Sequence, residues 1–255
     1  MTLDPIRDKL GRGERVFAAW TMLGSSYVVE LAGEAAWDAV IVDQQHGLGG
    51  AGELLACLTA AAAVPIPALV RVSANDGGAI GRALDAGAQG VIVPMINTPE
   101  DARRLASAVK YPPLGARSWG PYRGRLVHKG DYVKDANGWT IACAQIETRA
   151  AVEAIDDILK TEGIDMVCIG PNDLCLSLTD GSARDVRHPA VAEALDVILS
   201  KCRQHQVIAG IYANDSDFAN TLIDKGWDVI SIGNDMGYVG VAFTEILSNA
   251  KRMGC

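Results

Sequence analysis

The sequence predicts an α/β protein, a closed (β/α)₈ barrel that occupies residues 1–255 as one domain. Three observations predict it. The chain has 255 residues, and such a barrel typically takes about 250. Short β-branched runs alternate eight times with Ala- and Leu-rich segments whose charges recur at helical spacing. Gly-Ala-x-Gly and Gly-x-Asp phrases recur where a helix should end and the next strand begin, as in Ala86-Gly87-Ala88-Gln89-Gly90, Gly163-Ile164-Asp165 and Gly226-Trp227-Asp228. A doubly wound open sheet is the alternative arrangement of the same units.

Taken in order, strands are predicted at Val16–Thr21, Asp38–Asp43, Ala68–Val72, Gly90–Pro94, Ile141–Glu147, Asp165–Gly170, Val207–Tyr212 and Asp228–Gly233. Helical faces fall between them. Leu54, Leu55 and Leu58 share one, Ala102, Leu105, Ala106 and Val109 another, and Val191, Leu195, Ile198 and Leu199 a third. Thr98-Pro99-Glu100 reads as an N-cap followed by proline at the first helical position. One irregular stretch is long, Tyr111 to Trp139, and a loop of that length in a compact domain is usually functional or disordered.

Composition narrows the function classes. Net charge is −8, which argues against nucleic acid, since phosphate binding needs clustered Lys and Arg. The most apolar run, Ala60 to Val70, is too short for a membrane span and is broken by Pro65 and Pro67. Met1 to Arg15 is polar and carries no apolar signal core, so a cytoplasmic protein is expected. The six cysteines, at 57, 143, 168, 175, 202 and 255, form no Cys-x-x-Cys pair. They read as reduced core thiols.

In a (β/α)₈ barrel the chemistry sits at the C-terminal ends of the strands. Those ends carry Trp20; Asp43 and His46; Arg71; Pro94; Gln145 and Glu147; Gly170, Asn172 and Asp173; Tyr212; and Asn234. Glu147 and Asp173 follow consecutive strands. Two carboxylates on one rim suit a hard divalent cation that keeps positions open for substrate or water. They are equally readable as solvated loop carboxylates, with Asp173 capping a helix. His46 lies three residues after Asp43. An Asp bonded to its imidazole would set the tautomer of a general base, while a structural histidine is the alternative. Arg71 needs an anion nearby, either a substrate or a salt bridge to Asp43 or Glu147. Gly47 to Gly52 spells G-x-G-x-x-G, but Gln44-Gln45-His46 separates it from its strand, so a nicotinamide-dependent dehydrogenase is a weak reading. None of the lysines falls on a predicted strand, which leaves a Schiff-base mechanism without an obvious amine.

These phrases, in this order, resemble the class II pyruvate aldolases of the HpcH/HpaI aldolase/citrate lyase family. The resemblance runs over nearly the whole chain. It rests on Trp20, Leu23-Gly24-Ser25-Ser26, Val42-Asp43-Gln44-Gln45-His46-Gly47, Leu69-Val70-Arg71-Val72, Gly90 to Met95, Tyr111 to Ser118, Gln145-Ile146-Glu147-Thr148 and Ile169 to Leu174. It implies a metal-dependent aldolase that cleaves 4-hydroxy-2-oxo acids to pyruvate, or an analogue such as hydroxypyruvate, and an aldehyde. Glu147 and Asp173 would hold a divalent cation, Mg²⁺, Mn²⁺ or Co²⁺. Trp20, Arg71, Gln145, Gly170, Asn172 and Asp173 would contact substrate, Arg71 would stabilise the enolate oxygen, and His46 paired with Asp43 would move the proton. The family also implies a homohexamer, a trimer of dimers, with the C-terminal helix exchanged between subunits. Two departures stand out. Gln45 occupies a position commonly held by Glu. The segment Ser118 to Gly124 differs, and because loops at the mouth set acceptor choice, the aldehyde is left open. A lyase of the citrate-lyase β or malyl-CoA type and a non-catalytic barrel are the other readings.

Overall fold

The computed structural model describes residues 4–252. Eight parallel strands close into a barrel in sequential order: β1 (Val16–Thr21), β2 (Ala39–Asp43), β3 (Ala68–Arg71), β4 (Gly90–Val93), β5 (Ile141–Ile146), β6 (Met166–Ile169), β7 (Ile208–Ala213) and β8 (Val229–Ile232). The predicted strands match these within two residues at each end. The helices before β5 are α1 (Pro5–Gly11), α2 (Ser26–Glu34), α3 (Ala51–Ala63), α4 (Gly77–Asp85), α5 (Pro99–Val109), α6 (Gly124–Val127) and α7 (Tyr132–Trp139). After it come α8 (Arg149–Glu153), α9 (Ile155–Leu159), α10 (Pro171–Leu178), α11 (Pro189–His205), α12 (Ser216–Lys225) and α13 (Asp235–Arg252).

Alternation along each strand splits the core in two. Ala18, Trp20, Ile41, Leu69, Ile92, Cys143, Met166 and Cys168 fill the barrel interior. Val40, Val42, Val70, Val91, Val93 and Val167 face outward and pack on the helices. Thr98 caps α5 as its sequence predicts, its hydroxyl accepting from the Asp101 N–H at 3.1 Å.

The Gly-x-Asp phrases do more than end helices. Gly226 closes α12 in the left-handed region (φ 96°), where a side chain would be strained. Two residues on, the Asp228 carboxylate accepts the Ala209 N–H at the foot of β7 (2.8 Å). Asp165 does the same for Ala142 of β5 (2.8 Å), and Asp38 for Phe17 of β1 (2.9 Å). Each carboxylate also meets a cation, Arg203, Lys110 or Lys9 respectively. These ion pairs pin the strands at their N-terminal ends, the face that serves stability in this fold.

The stretch from Tyr111 to Trp139 is neither disordered nor at the barrel mouth. It folds into α6 and α7 around a small core of Tyr111, Tyr132, Ala136 and Trp139. It lies at the N-terminal end of the barrel. Arg123 donates to the carbonyl oxygens of Ala86 and Leu58, and the His128 ring meets that of Gly87, at or near the C-terminal ends of α3 and α4. The expectation that Ser118 to Gly124 shapes the mouth of its own barrel is therefore corrected. A segment running from the end of a helix to the start of a strand connects on the face opposite the strand C-termini. Among the described residues, no helix is long and apolar enough to cross a membrane.

Candidate active site

A cavity of ≈ 160 Å³ opens at the C-terminal ends of the strands. That is small against the ~300–1,000 Å³ of sites for drug-sized ligands, so it suits a molecule of a few carbons. Its lining contains Trp20, His46, Arg71, Gln145, Gly170, Asn172, Asp173, Tyr212 and Asn234. Asp43 and Glu147 lie just behind this lining, and both are buried.

Arg71 ends β3 and Asp43 ends β2, and the parallel register sets them side by side. Arg71 Nε donates to Asp43 Oδ1 (3.0 Å) and Nη2 to Oδ2 (2.5 Å), a two-point pair. The Trp20 indole N–H donates to the same carboxylate at 3.3 Å, and the guanidinium carbon stands 4.8 Å from the Trp20 ring centroid. Burial pushes the Asp43 carboxyl up, but Arg71 and the N–H groups of Gln45 and His46 outweigh it, and the group sits below the usual Asp range. The salt-bridge reading of Arg71 is thus realised, while its remaining N–H groups still border the cavity.

This arrangement corrects the expected pairing of Asp43 with the His46 ring. Asp43 accepts from the backbone N–H of His46 (3.2 Å) and of Gln45 (2.9 Å). Its carboxylate belongs to Arg71 and Trp20, because the neighbouring strand offers a guanidinium in register and the imidazole hangs on the loop beyond. His46 is exposed at the cavity edge.

Glu147 follows β5. Its Oε1 accepts the Met95 N–H (2.8 Å) and its Oε2 the side-chain amide of Gln145. Met95 holds φ 58°, a left-handed conformation rare for a non-glycine residue. That turn at the end of β4 aims a backbone N–H at the carboxylate. Nothing but the local phrase Val93-Pro94-Met95 could have marked it in the sequence. Burial raises the Glu147 carboxyl above its ordinary range, the N–H of Met95 and the Gln145 amide act against this, and the charge of Asp173 adds to the rise. Asp173 is exposed in the first turn of α10, where its own N–H and that of Asn172 have no intrahelical acceptor.

The residues fit a hard divalent cation. Two carboxylates that repel each other, one of them buried, want positive charge between them. Gln145 Oε1 is buried with no hydrogen-bond partner. A Cβ at Gly170 would come within 2.8 Å of Glu147 Oε2, so only glycine leaves this space open. Among the described residues no three His, Cys, Asp or Glu side chains gather into a cage. Mg²⁺ and Mn²⁺ need none, since one or two carboxylates with water and substrate oxygens suffice.

The competing chemistries find no support in the geometry. Gly47 is glycine because a Cβ there would lie 2.1 Å from the Asp43 carbonyl oxygen. The Glu53 carboxylate accepts the Gly50 N–H (2.9 Å) and so occupies the N-terminus of α3 that a dinucleotide phosphate would need. Cys57, Cys143, Cys168, Cys175 and Cys202 are free and buried. Burial pushes the Cys57 thiol up to about 11 and those of Cys168 and Cys202 up to about 12, far from thiolates. Cys255 lies outside the described residues. Among the described residues no lysine stands on a strand. The buried Lys110, whose ammonium desolvation pulls below its usual range, pairs with Asp165 at the opposite end of the barrel.

Known proteins match this chain along nearly its full length. The family model described as HpcH/HpaI aldolase/citrate lyase matches residues 17–240. The hydroxypyruvate/pyruvate aldolase of Rhizorhabdus wittichii is 32% identical over 251 residues, 98% of this chain and 100% of that one. The 2-keto-3-deoxy-L-rhamnonate aldolase of Salmonella paratyphi A is 31% identical, over 96% of this chain and 91% of its own. A crystal structure of a HpcH/HpaI aldolase/citrate lyase family protein from Burkholderia cenocepacia J2315 superposes with a TM-score of 0.86 at 30% identity, covering 93% of this chain and 95% of that one.

Proposed function

The chain belongs to the HpcH/HpaI aldolase/citrate lyase family and is a lyase of the pyruvate aldolase type, and we propose that it reversibly cleaves 4-hydroxy-2-oxo acids to pyruvate, or an analogue such as hydroxypyruvate, and an aldehyde. One observation carries this reading. A buried carboxylate and a buried guanidinium, Glu147 and Arg71, meet a second carboxylate, Asp173, around a cavity sized for a small oxo acid.

Glu147 and Asp173 would hold a divalent cation, Mg²⁺, Mn²⁺ or Co²⁺. When bound, that cation would supply Lewis acidity at the keto oxygen of the substrate. The chain's own groups supply the rest. The free N–H groups of Asn172 and Asp173, at the positive end of α10, suit the substrate carboxylate. Arg71, fixed by Asp43 and Trp20, presents its remaining donors to the oxygen that gains charge as the enolate forms. His46, whose ring does not bond to the Asp43 carboxylate, would carry the proton to and from the reacting carbon and the aldehyde oxygen. A CoA thioester substrate is disfavoured because, of the residues lining the cavity, only Arg71 and His46 can carry positive charge.

The test is retro-aldol turnover of a 4-hydroxy-2-oxo acid, read as pyruvate release. EDTA should abolish it, and Mg²⁺, Mn²⁺ or Co²⁺ should restore it. Glu147→Gln or Asp173→Asn should raise the metal requirement or end activity. Borohydride with pyruvate should leave the enzyme unlabelled. A pyruvyl-lysine adduct, or full activity after metal stripping, would refute the reading.

We also propose assembly as a hexamer, a trimer of dimers, with α13 exchanged between subunits. In its support, α13 exposes Tyr238, Val241, Phe243, Ile246 and Leu247 to solvent in the single chain.

A further inference from the structure

One buried carboxylate near the mouth has no part in the aldol chemistry. Asp235 opens α13 and is only 3% exposed. A buried charge is costly unless donors surround it, and here they do. Oδ1 accepts the Met22 N–H (2.8 Å) and the Met236 N–H (2.9 Å), and Oδ2 accepts the Thr21 hydroxyl (2.7 Å) and the Leu23 N–H (3.1 Å). Capping α13 does not require this residue. Asn234 is the cap, its Oδ1 accepting the Gly237 N–H at 3.0 Å. The Asp235 carboxylate instead turns toward the exit of β1, which supplies three of its four donors.

That exit needs support. The register of β1 with β8 ends at Ala18, while its register with β2 runs on to Thr21. Beyond Ala18 the Asp235 carboxylate stands where a strand partner on the β8 side would be. The loop that carries His46 leans on this exit in turn. Met22 lines the cavity with His46, and its carbonyl oxygen accepts the Leu48 N–H at 2.7 Å. Gly24 and Gly49 pass so closely that a Cβ on Gly24 would stand 2.8 Å from Gly49 Cα. The near end of the His46 loop is held by Asp43, which accepts the N–H groups of Gln45 and His46. Its far end, past the imidazole, rests on Met22 and so on Asp235. The imidazole itself is exposed at the cavity edge, so its backbone decides where it stands.

We propose that Asp235 is a positioning residue for proton transfer. It holds the exit of β1, and through Met22 and Leu48 that exit fixes the loop from which His46 reaches the reacting carbon. The proposal rests on the aldol reading above, with His46 as the proton carrier. Asp235 is not among the residues that line the cavity and acts only through this path. Asp235→Asn turns one acceptor oxygen into an amide donor that faces other donors, so the β1 exit loses its anchor. A displacement of about 1 Å at a reacting group can lower a rate by about 10²-fold.

Three measurements on the full enzyme with Mn²⁺ test this. Backbone amide exchange, read by mass spectrometry, should show residues 44–49 of Asp235→Asn losing protection together with 21–24. Exchange of the pyruvate methyl hydrogens in D₂O should slow by about 10- to 100-fold in the same variant, with pyruvate affinity by calorimetry little changed. In a His46→Ala background the same substitution should lower the remaining rate by no more than about twofold, because two residues on one path do not add. If Asp235→Asn does not fold, Thr21→Val, which removes one donor at nearly constant shape, takes its place with a several-fold loss. If the His46→Ala rate is too slow to read, the first two measurements decide. Protection lost only at 21–24, a wild-type exchange rate, a loss carried by pyruvate affinity, or an equal loss in the His46→Ala background would overturn the positioning role and leave the aldol reading standing. Exchange by His46→Ala as fast as wild type would remove His46 as the proton carrier and this role with it. No exchange by wild type with any divalent cation would remove the aldol reading as well.

Discussion

Arg71 owes its position to a residue on the neighbouring strand. A lone guanidinium at a barrel rim would be mobile and costly to bury, whereas the register pair with Asp43 holds it by two hydrogen bonds. Asp43→Asn should therefore lower kcat by roughly one to two orders of magnitude through misplacement of Arg71, a smaller loss than direct removal of a proton carrier. The same residue has a pH signature. Its folded pKa is depressed, so its contribution to stability is complete above the unfolded value of about 4 and is lost as pH falls below it. Unfolding free energies of wild type and Asp43→Asn should differ by a constant amount from pH 5 to 7 and converge on the acid side. A difference that persists unchanged to pH 3 would contradict the pairing. His46 makes a separate prediction. Its ring is free of the two carboxylates that would bind the cation, so His46→Ala should lose about 10²–10⁴ in rate with metal affinity nearly intact by calorimetry. Loss of the metal with the imidazole would make His46 a ligand.

Among the elements, the two ends of the barrel divide the labour. Charged residues at the N-terminal ends of the strands form closed pairs, as in Asp165, which accepts from Ala142 N–H and meets both Arg7 and the buried Lys110. At the C-terminal ends Asp43 pairs with Arg71, while Glu147 and Asp173 have no salt-bridge partner among the described residues. Asp165→Ala strands the Lys110 ammonium in the protein interior, which should cost about 3–5 kcal/mol in chemical denaturation. Its kcat should stay close to wild type at temperatures where the variant is folded, since the cavity lies at the other end. A large fall in kcat without loss of stability would show that the two ends are coupled. The α6–α7 segment belongs to the first class of element despite its irregular sequence, because it is sealed by carbonyl-seeking arginine contacts rather than by periodic packing.

For the molecule as a whole, α13 is the unfinished part. It leaves Phe243 71% exposed and Ile246 68% exposed. Apolar surface of that extent on one helix is rarely left in water. Sedimentation velocity should report a particle of six chains, and Phe243→Asp with Ile246→Asp should reduce it to smaller species. A wild-type monomer at micromolar concentration would contradict the exchanged helix. The overall charge of −8 also bears on the substrate. An anionic oxo acid approaches against the global field, so added salt should leave KM unchanged or lower it, where an enzyme that steers anions would show a rise.

The strand-and-helix order, the closed barrel and the identity of the rim residues could be read from the sequence alone. They follow from local periodicity, from glycine at helix ends and from the rule that strand C-termini carry the chemistry, and none of these needs a partner in space. Glu147, Asp173, Arg71 and His46 were visible in this way. Tertiary structure alone decided whom each of them touches. Asp43 could serve His46 or Arg71 by sequence spacing, and only the lateral register of β2 and β3 gave its carboxylate to the guanidinium. The part Met95 plays could not be read from its residue type, because it is played by a backbone N–H in a left-handed turn rather than by a side chain. The segment around Trp119 was expected at the mouth because it departs from the family's pattern, yet such a departure carries no record of which end of a barrel a connection crosses. That is settled by chain direction, since a path from helix to strand must run beneath the sheet whose upper edge binds the substrate.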